Sequence, residues 1–383
     1  MRTSISTVEY LAVVLLVFTI VYFAKSLRSN DGKKKIPPLA IISIGALIFA
    51  IYSFTIGIDL FEKSDRHRYI ISFFNYSNYN YNEIFGLRAT PGTFLLFKSV
   101  ATFTDNVSWL FFIVTFVFFI VNLNVITKLS INYKASALFF MLSQLPFWQL
   151  EILKQVLAYS MASIAFLYYI KEKKKLSIFF AVIACTFHLT AAVLFLYYIA
   201  FGLAARKKMG TILMFLSIII TSVILYGAVN FVAKRFGFVQ QYLRFSTISV
   251  GSGVDTGRSG LTSGLVSALA YGLPYYFLLI LSLIQYKKLV ASDAKNKIYI
   301  CILLYGSFFF IQGYVFFSLF RVGMFIIVPA VAWAPTLFAS VKSSGTRFAC
   351  RLVFIGLLLT VTIWHVAWKV DDYSIFKLST VAQ

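Results

Sequence analysis

Residues 107–127 read VSWLFFIVTFVFFIVNLNVIT, and this stretch contains no charged side chain. An α-helix needs roughly 20 apolar residues to cross the hydrocarbon core of a bilayer. The run does not alternate between apolar and polar residues, as the strands of an outer-membrane barrel do. Because only helices and closed barrels satisfy their backbone inside lipid, the stretch predicts a membrane-spanning helix.

Comparable apolar runs recur along the whole chain. Of its 383 residues, 60% are hydrophobic and 13% are charged, whereas soluble domains have about 45–50% and about 25%. This composition excludes an ordinary soluble protein. We predict an all-α, polytopic membrane helical bundle of about 11 to 13 segments, forming a single integral membrane domain over residues 1–383. The other clear runs cover residues 9–25, 38–57, 135–149, 155–170, 211–232, 263–285, 298–320, 322–341 and 348–367.

The apolar run over residues 176–202 is long for one helix and has basic residues on both sides. Four lysines occur within residues 171–175, and residues 206–208 contribute an arginine and two lysines. Positively charged loops favour the cytoplasm, so a single crossing would place one basic cluster on the wrong side. We therefore predict a re-entrant or short-helix hairpin that turns near Phe187 and His188.

The net charge of +22 is explained mainly by membrane topology. With the hairpin, the N-terminus lies outside, and six predicted cytoplasmic segments contain 21 of the 35 Lys and Arg residues but three of the 13 acidic residues. Short basic loops beside helices are the usual cytoplasmic anchors, so no nucleic-acid partner is expected. Two long periplasmic loops are predicted, over residues 58–106 and 233–262. The cytoplasmic segments are residues 24–37, 128–134, 171–175, 205–209, 286–297 and 342–351.

The first outer loop, residues 58–106, combines aromatic and amide side chains with few charges. Its sequence from Asn75 to Asn82 alternates Asn and Tyr almost throughout. Such a surface can stack on sugar rings and hydrogen-bond to them, and the alternative interpretation is an interfacial aromatic belt. The segment 91–103, PGTFLLFKSVATF, is too short to span and predicts an interfacial helix. The candidate sugar-binding residues are Tyr69, Tyr76 and Tyr79.

The second outer loop, residues 233–262, is rich in arginine and glycine. Within SVGSGVDTGRSG, residues 249–260, no strand precedes the glycines and no Gly-Lys-Ser/Thr follows them, so this is not a phosphate-binding loop. We predict a mobile lid whose arginines close on an anionic substrate. A plain solvated loop is the alternative, particularly for Arg235 and Arg244.

Three ionisable residues are predicted at membrane depth, where charge is costly. Lys154 follows an expected outer turn, His188 lies at the hairpin turn, and Arg321 separates the apolar runs FFSLF and VGMFIIV. A charge at such a depth costs roughly 2.5–3.5 kcal/mol on biological scales, so each residue is a functional candidate. The alternatives are snorkelling to the headgroups and, for Lys154, an i,i+3 pair with Glu151. Cations beside lipid suit a ligand with a phosphate at the membrane and a polar body outside.

The order of these residues resembles the EpsG-like branch of the Wzy O-antigen and capsule repeat-unit polymerases. The resemblance spans residues 50–330. The chain has Lys154 where these proteins commonly have arginine, which keeps the charge but loses the bidentate fork. The matching elements are DRHRY at 65–69, PGTFLLF at 91–97, LEILKQVLA at 150–158, ACTFHLT at 184–190 and the late Arg321.

The resemblance implies a multi-pass glycosyltransferase of the bacterial inner membrane whose active site faces the periplasm. Its substrate would be an undecaprenyl-diphosphate-linked oligosaccharide, and the growing chain would pass to a hydroxyl of the next lipid-linked repeat unit without a metal or other cofactor. Membrane lipid, a chain-length regulator and a flippase of the same pathway are the expected partners. The candidate diphosphate-binding residues are Arg68, Lys154 and Arg321, which match the family, and Arg258 of the second outer loop. The candidate acid–base residues are Asp65 and His188, which match the family, and Asp255 of the second outer loop.

Other functions are compatible with parts of the sequence. A lipid-linked-oligosaccharide flippase or another transporter would use intramembrane cations equally well, although the two halves show no internal repeat. A polyprenyl-phosphate-sugar glycosyltransferase usually has an acidic pair in its first outer loop, and the closest match here is Asp59 with Glu62. A membrane O-acyltransferase would need a histidine with an acidic partner. The two long outer loops favour chemistry outside the membrane.

Overall fold

The computed structural model describes residues 7–23, 38–55, 65–82, 90–204, 260–312 and 317–380. Every regular element in these ranges is a helix, which confirms the predicted all-α class. The chain divides into two compact units, Met1–Leu189 with Ile355–Gln383 (unit 1) and Thr190–Phe354 (unit 2). The single integral domain over residues 1–383 stays a prediction, as does the number of segments.

Unit 1 contains long and short helices from the first half of the chain. In order they are α1 Thr7–Phe23, α2 Pro38–Thr55, α3 Asp65–Ser77, α4 Pro91–Phe103, α5 Ser108–Leu129, α6 Tyr133–Met141, α7 Leu145–Trp148, α8 Leu153–Ile170 and α9 Lys174–Phe187. After a 3-10 turn at Leu189–Ala192, unit 2 contains α10 Val193–Ala204, α11 Gly260–Ile284, α12 Tyr286–Ser292, α13 Asn296–Gln312, α14 Phe317–Gly323, a 3-10 turn at Met324–Ile326 and α15 Ile327–Ala339. The last helix, α16, covers Ser344–Thr380 and contributes residues to both units.

Several helices are long and apolar enough to cross a membrane. By length and composition the described residues contain four such spans, or five if Leu269–Ile284 and Tyr286–Ser292, which meet at a 77° bend, form one. Many large apolar side chains of the helices are exposed, as expected of surfaces that face lipid. The chain is therefore a membrane protein. The four single spans are Ser108–Leu129, Leu153–Ile170, Phe320–Ala339 and Ser344–Trp364.

The predicted helix over residues 135–149 is interrupted. α6 ends at Met141, and α7 contains only Leu145–Trp148. Pro146 lies in the first turn of α7, where its missing N–H is tolerated, but a helix continuing through it would lose a hydrogen bond and clash. Residues 142–152, here called the buried connection, are all buried in unit 1. Non-helical backbone therefore lies inside this unit.

One end of unit 1, here called the lysine end, carries the lysines of two predicted cytoplasmic loops. Thr115 of α5 donates a hydrogen bond to Gln149, which precedes α8. Further along both helices, Asn122 donates to Ser160. α5 and α8 therefore run parallel and end on the same side of the unit. The lysine end consists of Lys128, Lys134 and the lysines of residues 171–175.

This arrangement agrees with the predicted topology, in which both loops share one side of the membrane. Lys134 Nζ lies 4.1 Å from the ring centroid of Tyr22, so the end of α1 reaches the same side. Near the start of α1, Tyr10 packs edge to face against Phe147 with ring centroids 5.3 Å apart. Which side faces the cytoplasm stays a prediction.

α9 returns along α8 and ends at the predicted turn. Only residues 171–173 separate the two helices, so they pack antiparallel, and the Ser177 hydroxyl donates to the Ala165 carbonyl at 2.7 Å. Lys154 lies 11 residues before Ala165, and His188 lies 11 residues after Ser177. In an antiparallel pair these two equal spacings run in the same direction from the Ser177–Ala165 contact. His188 is therefore near the level of Lys154, at the end opposite the lysine end. The helix break at His188 agrees with the predicted turn, and the hairpin itself stays a prediction.

Two helices lie within the first predicted outer loop. The sequence predicted one of them, and α4 has the expected bounds, Pro91–Phe103. α3, Asp65–Ser77, was not predicted. The first turn of α4 approaches α9 closely, because a Cβ on Gly92 would lie 2.5 Å from Thr186 Oγ1. The absence of a side chain at Gly92 thus allows the two helices to meet. A position of α4 at the membrane interface stays a prediction.

Gly92→Ala is expected to destabilise the protein by about 1–3 kcal/mol, because the added methyl group would overlap Thr186. Gly356→Ala is the matched control. Nothing lies within 4 Å of a Cβ at Gly356, which is inside α16, so alanine there should raise stability by about 0.5–1 kcal/mol. Thermal unfolding in detergent compares the two variants, and equal effects of both would contradict the close contact.

Candidate functional site

A buried arginine, Arg66, lies at the end of unit 1 opposite the lysine end. It is the second residue of α3 and is 1% exposed. Tyr69, Ile70 and Phe73 share its buried helix face, at the i+3, i+4 and i+7 positions. The sequence motif also contains Arg68. The helical spacing of the apolar residues, not charge, is the signal that distinguishes Arg66 from Arg68.

Arg66 joins four parts of unit 1. Its Nη1 donates to the Leu150 carbonyl at 3.1 Å, and its Nη2 donates to the Ser53 carbonyl at 3.3 Å. The guanidinium carbon lies 3.7 Å from the ring centroid of Phe111, which is a cation–π contact. Arg66 therefore ties α3 to the end of α2, the start of α5 and the buried connection. Burial lowers the pKa of Arg66 to about 9, which leaves the side chain charged at neutral pH.

Three predicted site residues, Asp65, Tyr69 and Lys154, are brought together at this end. Lys154 is in the first turn of α8, and its Nζ lies 5.5 Å from the ring centroid of Tyr69. Asp65, the first residue of α3, is close enough to Lys154 for the two charges to attract each other. The arrangement holds a cation beside a carboxylate and an aromatic ring. Such a cation can attract an anionic group such as a phosphate.

The three tyrosines predicted to bind sugar differ in accessibility. Tyr69 is 7% exposed and packs edge to face against Phe97 at 6.1 Å, so little of its ring is accessible. Tyr76 is partly buried and packs against Phe94 at 5.3 Å. Tyr79 is 38% exposed. Tyr79 is thus the best placed of the three to stack on a sugar, and sugar binding stays a prediction for all of them.

Arg68 lies on the exposed face of α3. Its side chain is 72% exposed, and its Nη1 is 3.7 Å from Oδ1 of Asp65. An exposed pair at this separation contributes little to stability, because water and salt screen it. Arg68 is accessible to an anionic ligand from solvent, and its role in diphosphate binding stays a prediction.

His188 lies directly after a carbonyl that α4 holds in place. The hydroxyl oxygens of Thr90 and Thr93 are 2.9 and 3.2 Å from the Phe187 carbonyl oxygen. Their own separation is 2.8 Å. The start of α4 therefore fixes the peptide that carries His188, which explains the Pro-Gly-Thr motif in structural terms. The imidazole is partly exposed at this end of unit 1, and its acid–base role stays a prediction.

Uncharged polar residues around the buried connection were not among the predicted site residues. Gln144, Gln149 and Gln155 are each at most 2% exposed. Thr115 Oγ1 donates to Gln149 Oε1 at 2.7 Å, which anchors one of them to α5. The available signal was the recurrence of polar side chains in an otherwise apolar run. The uncharged members are Ser143, Gln144, Gln149 and Gln155, and Glu151 is buried in the same stretch.

Arg321 belongs to unit 2. It is in the last turn of α14 and the first turn of the span Phe320–Ala339. Its neighbour Phe320 packs against Tyr271 at 5.0 Å and against Phe310 at 5.5 Å. These contacts fix the helix end that carries Arg321 within unit 2. Its role in diphosphate binding stays a prediction.

The described residues therefore place Asp65, Lys154 and His188 at one end of unit 1. Asp255 and Arg258 lie outside the described residues, and their roles stay predictions. Within the described ranges, no group of three or more His, Cys, Asp or Glu side chains could hold a metal ion. One end of unit 1 thus carries an amine, a carboxyl group and an imidazole, and their roles stay predictions.

The chain matches a known family over most of its length. A model of the EpsG family matches residues 42–379. The chain belongs to the EpsG family. EpsG proteins are Wzy-like and polymerase-type, so the resemblance predicted from the sequence is confirmed. No curated protein and no solved structure matches this EpsG-family chain significantly.

Arg66→Ala in this EpsG-family protein is expected to reduce the free energy of unfolding by about 2–4 kcal/mol, because two buried carbonyls lose their donor and a cavity remains. Arg68→Ala in the same helix should change it by less than about 0.5 kcal/mol. Denaturant unfolding in detergent measures both variants. Effects of similar size would refute the role assigned to Arg66.

Proposed function

We propose that this EpsG-family protein is a glycosyltransferase that polymerises undecaprenyl-diphosphate-linked oligosaccharide repeat units into O-antigen, capsular polysaccharide or exopolysaccharide. The reaction takes place at the outer face of the bacterial inner membrane. Membership of a family of Wzy-like polymerase-type proteins supports the reaction class. The observation that carries the proposal is the grouping of Lys154, Asp65 and Tyr69 at the end of unit 1 opposite the lysine end.

The proposed reaction exchanges one bond to an anomeric carbon for another. A hydroxyl oxygen of the next lipid-linked repeat unit bonds to the anomeric carbon of the growing chain. The bond from that carbon to the diphosphate oxygen breaks, and undecaprenyl diphosphate leaves with the electron pair. The proton of the attacking hydroxyl passes to a base. Negative charge develops on the departing diphosphate, so fixed cations lower the barrier most at that group.

Lys154 supplies such a cation. Its ammonium is a compact charge on a flexible stem, and it lies in the first turn of the span that begins at Leu153. The diphosphate of a membrane carrier lies between its acyl chain and its carbohydrate, so a cation at the end of a span is at the matching depth. Arg321, at the start of another span, is a second candidate for the diphosphate, together with Arg68 and Arg258.

Asp65, His188 and Asp255 are the candidates for the base. The Asp65 carboxylate is near Lys154, in the part of the site where the diphosphate is proposed to bind. His188 is near the same level along α9, on a peptide that the start of α4 holds. The group that acts must come within hydrogen-bond distance of the acceptor hydroxyl.

The lysine end supports an outward-facing site. Short basic loops are retained in the cytoplasm, so the lysines of unit 1 mark its inner side. The grouping around Lys154 is at the opposite end, which would face the periplasm. Lipid-linked repeat units are available there after flipping. The proposed partners are accordingly that lipid-linked oligosaccharide, membrane lipid, a flippase and a chain-length regulator of the same pathway.

Purified protein with lipid-diphosphate repeat units is expected to make longer glycans, and a chelator should not prevent this because fixed cations neutralise the diphosphate. Lys154→Met should lower the rate by about 10²–10³-fold, and Lys154→Arg should restore most of it. Lys173→Met removes a lysine at the lysine end and is the matched control, with an unchanged rate.

The increase in glycan length with time, followed on a gel, measures the rate of each variant. Unchanged polymerisation by Lys154→Met would remove Lys154 from the site, and a chelator-sensitive wild type would contradict a reaction without metal. A wild-type protein that moves the lipid-linked unit across a membrane but never lengthens it would be a flippase, contrary to the proposal.

A further inference from the structure

Gln144 and Gln155 bury complete amide groups. Neither the Nε2 nor the Oε1 atom of either residue has a hydrogen-bond partner among the residues that the structure describes. The same holds for Nε2 of Gln149, whereas its Oε1 accepts from Thr115. All three side chains are at most 2% exposed. Polar atoms of both kinds, donors and acceptors, are thus buried in one short stretch of chain.

Burial of this kind is costly. A buried polar group without a hydrogen bond costs about 1–3 kcal/mol relative to one that water solvates. Folded proteins keep such groups rare, so several of them in one stretch indicate that bound molecules, water or a ligand, complete their hydrogen bonds. An amide that serves the fold has at least one of its polar atoms bonded within it, whereas Gln144 and Gln155 have neither atom bonded among the described residues. Asn122 is an example of an amide that serves the fold, because its Nδ2 donates to the Phe118 carbonyl and to the Ser160 hydroxyl, although its buried Oδ1 has no partner among the described residues.

The three glutamines lie beside the candidate site. Gln144 and Gln149 flank α7, and Gln155 is in the first turn of α8, next to Lys154. The guanidinium of Arg66 donates to the carbonyl of Leu150, which lies between Gln149 and Gln155 in the sequence. The amides are therefore carried on backbone with fixed anchors, close in sequence to the cation.

We propose that Gln144, Gln149 and Gln155 form a hydroxyl-binding subsite for the carbohydrate of the acceptor repeat unit. This inference rests on the proposed function and adds the place where the attacking sugar binds. A sugar hydroxyl both donates and accepts hydrogen bonds, and so does an amide group. A carbohydrate can therefore satisfy the Nε2 and the Oε1 atoms together.

A diphosphate does not fit these atoms. Its ionised oxygens only accept hydrogen bonds, so they would face the Oε1 atoms of Gln144 and Gln155 without a proton between them. Lys154, which only donates, suits the diphosphate instead. The site thus divides into a cationic part for the leaving group and an amide part for the acceptor. Holding both substrates side by side orients the attacking hydroxyl.

Gln144→Met and Gln155→Met test the subsite, because methionine has nearly the shape of glutamine without its polar atoms. If the amides serve a ligand, their removal relieves the cost of burial, so the unfolding temperature in detergent should stay equal or rise. The KM for a labelled single repeat unit as acceptor should increase about tenfold or more. The KM for preformed lipid-linked polymer as donor should not change.

Asn122→Leu is the matched control, since it removes a buried amide that the fold uses, and it should lower the unfolding temperature. A comparable fall in the glutamine variants would show that their amides serve the fold and would overturn the inference. An unchanged acceptor KM would overturn it as well. A wild-type protein that makes no polymer would overturn the proposed function and the subsite with it.

Discussion

The buried guanidinium of Arg66 is the interaction on which the candidate site depends. A charge removed from water is stable only where fixed partners surround it. Two carbonyls and an aromatic ring supply those partners from α2, the buried connection and α5. Because one side chain requires all of them at once, it sets the position of α3 against these elements. Asp65 and Tyr69 of α3 then meet Lys154 at the start of α8.

The buried connection determines where α8 begins. Irregular backbone inside a membrane protein is tolerated only where protein or water covers it, and its free carbonyls need donors. Side chains from α3 and α16 donate to backbone carbonyls of the buried connection, and a side chain from α5 donates to the Gln149 side chain. α8 consequently starts inside the unit, and its first turn carries Lys154 and Gln155 into the interior. The anchors are Thr362 on the Leu142 carbonyl, Thr115 on Gln149 Oε1 and Arg66 on the Leu150 carbonyl.

Hydropathy predicted the class and most of the helices, because lipid demands continuous apolar helices, and α5 nearly coincides with the run 107–127. Hydropathy did not predict the break in the run 135–149. There, side chains distant in sequence donate to backbone carbonyls that would accept hydrogen bonds within a continuous helix. The resemblance selected Asp65 and charge at membrane depth selected Lys154, but the proximity of the two residues depends on how α3 docks. The resemblance selected Arg68 and not Arg66, whereas the structure buries Arg66, because burial follows helix packing and not residue type.

The affinity of the purified protein for undecaprenyl diphosphate tests the central claim most directly. If the Lys154 ammonium binds the diphosphate, Lys154→Met should bind it about tenfold or more weakly than the wild type, since a charge-assisted hydrogen bond contributes about 1.5–3 kcal/mol. Undecaprenol, which lacks the phosphates, should bind both proteins equally. Equal affinity of the two proteins for undecaprenyl diphosphate would contradict the role of Lys154 and the site built around it.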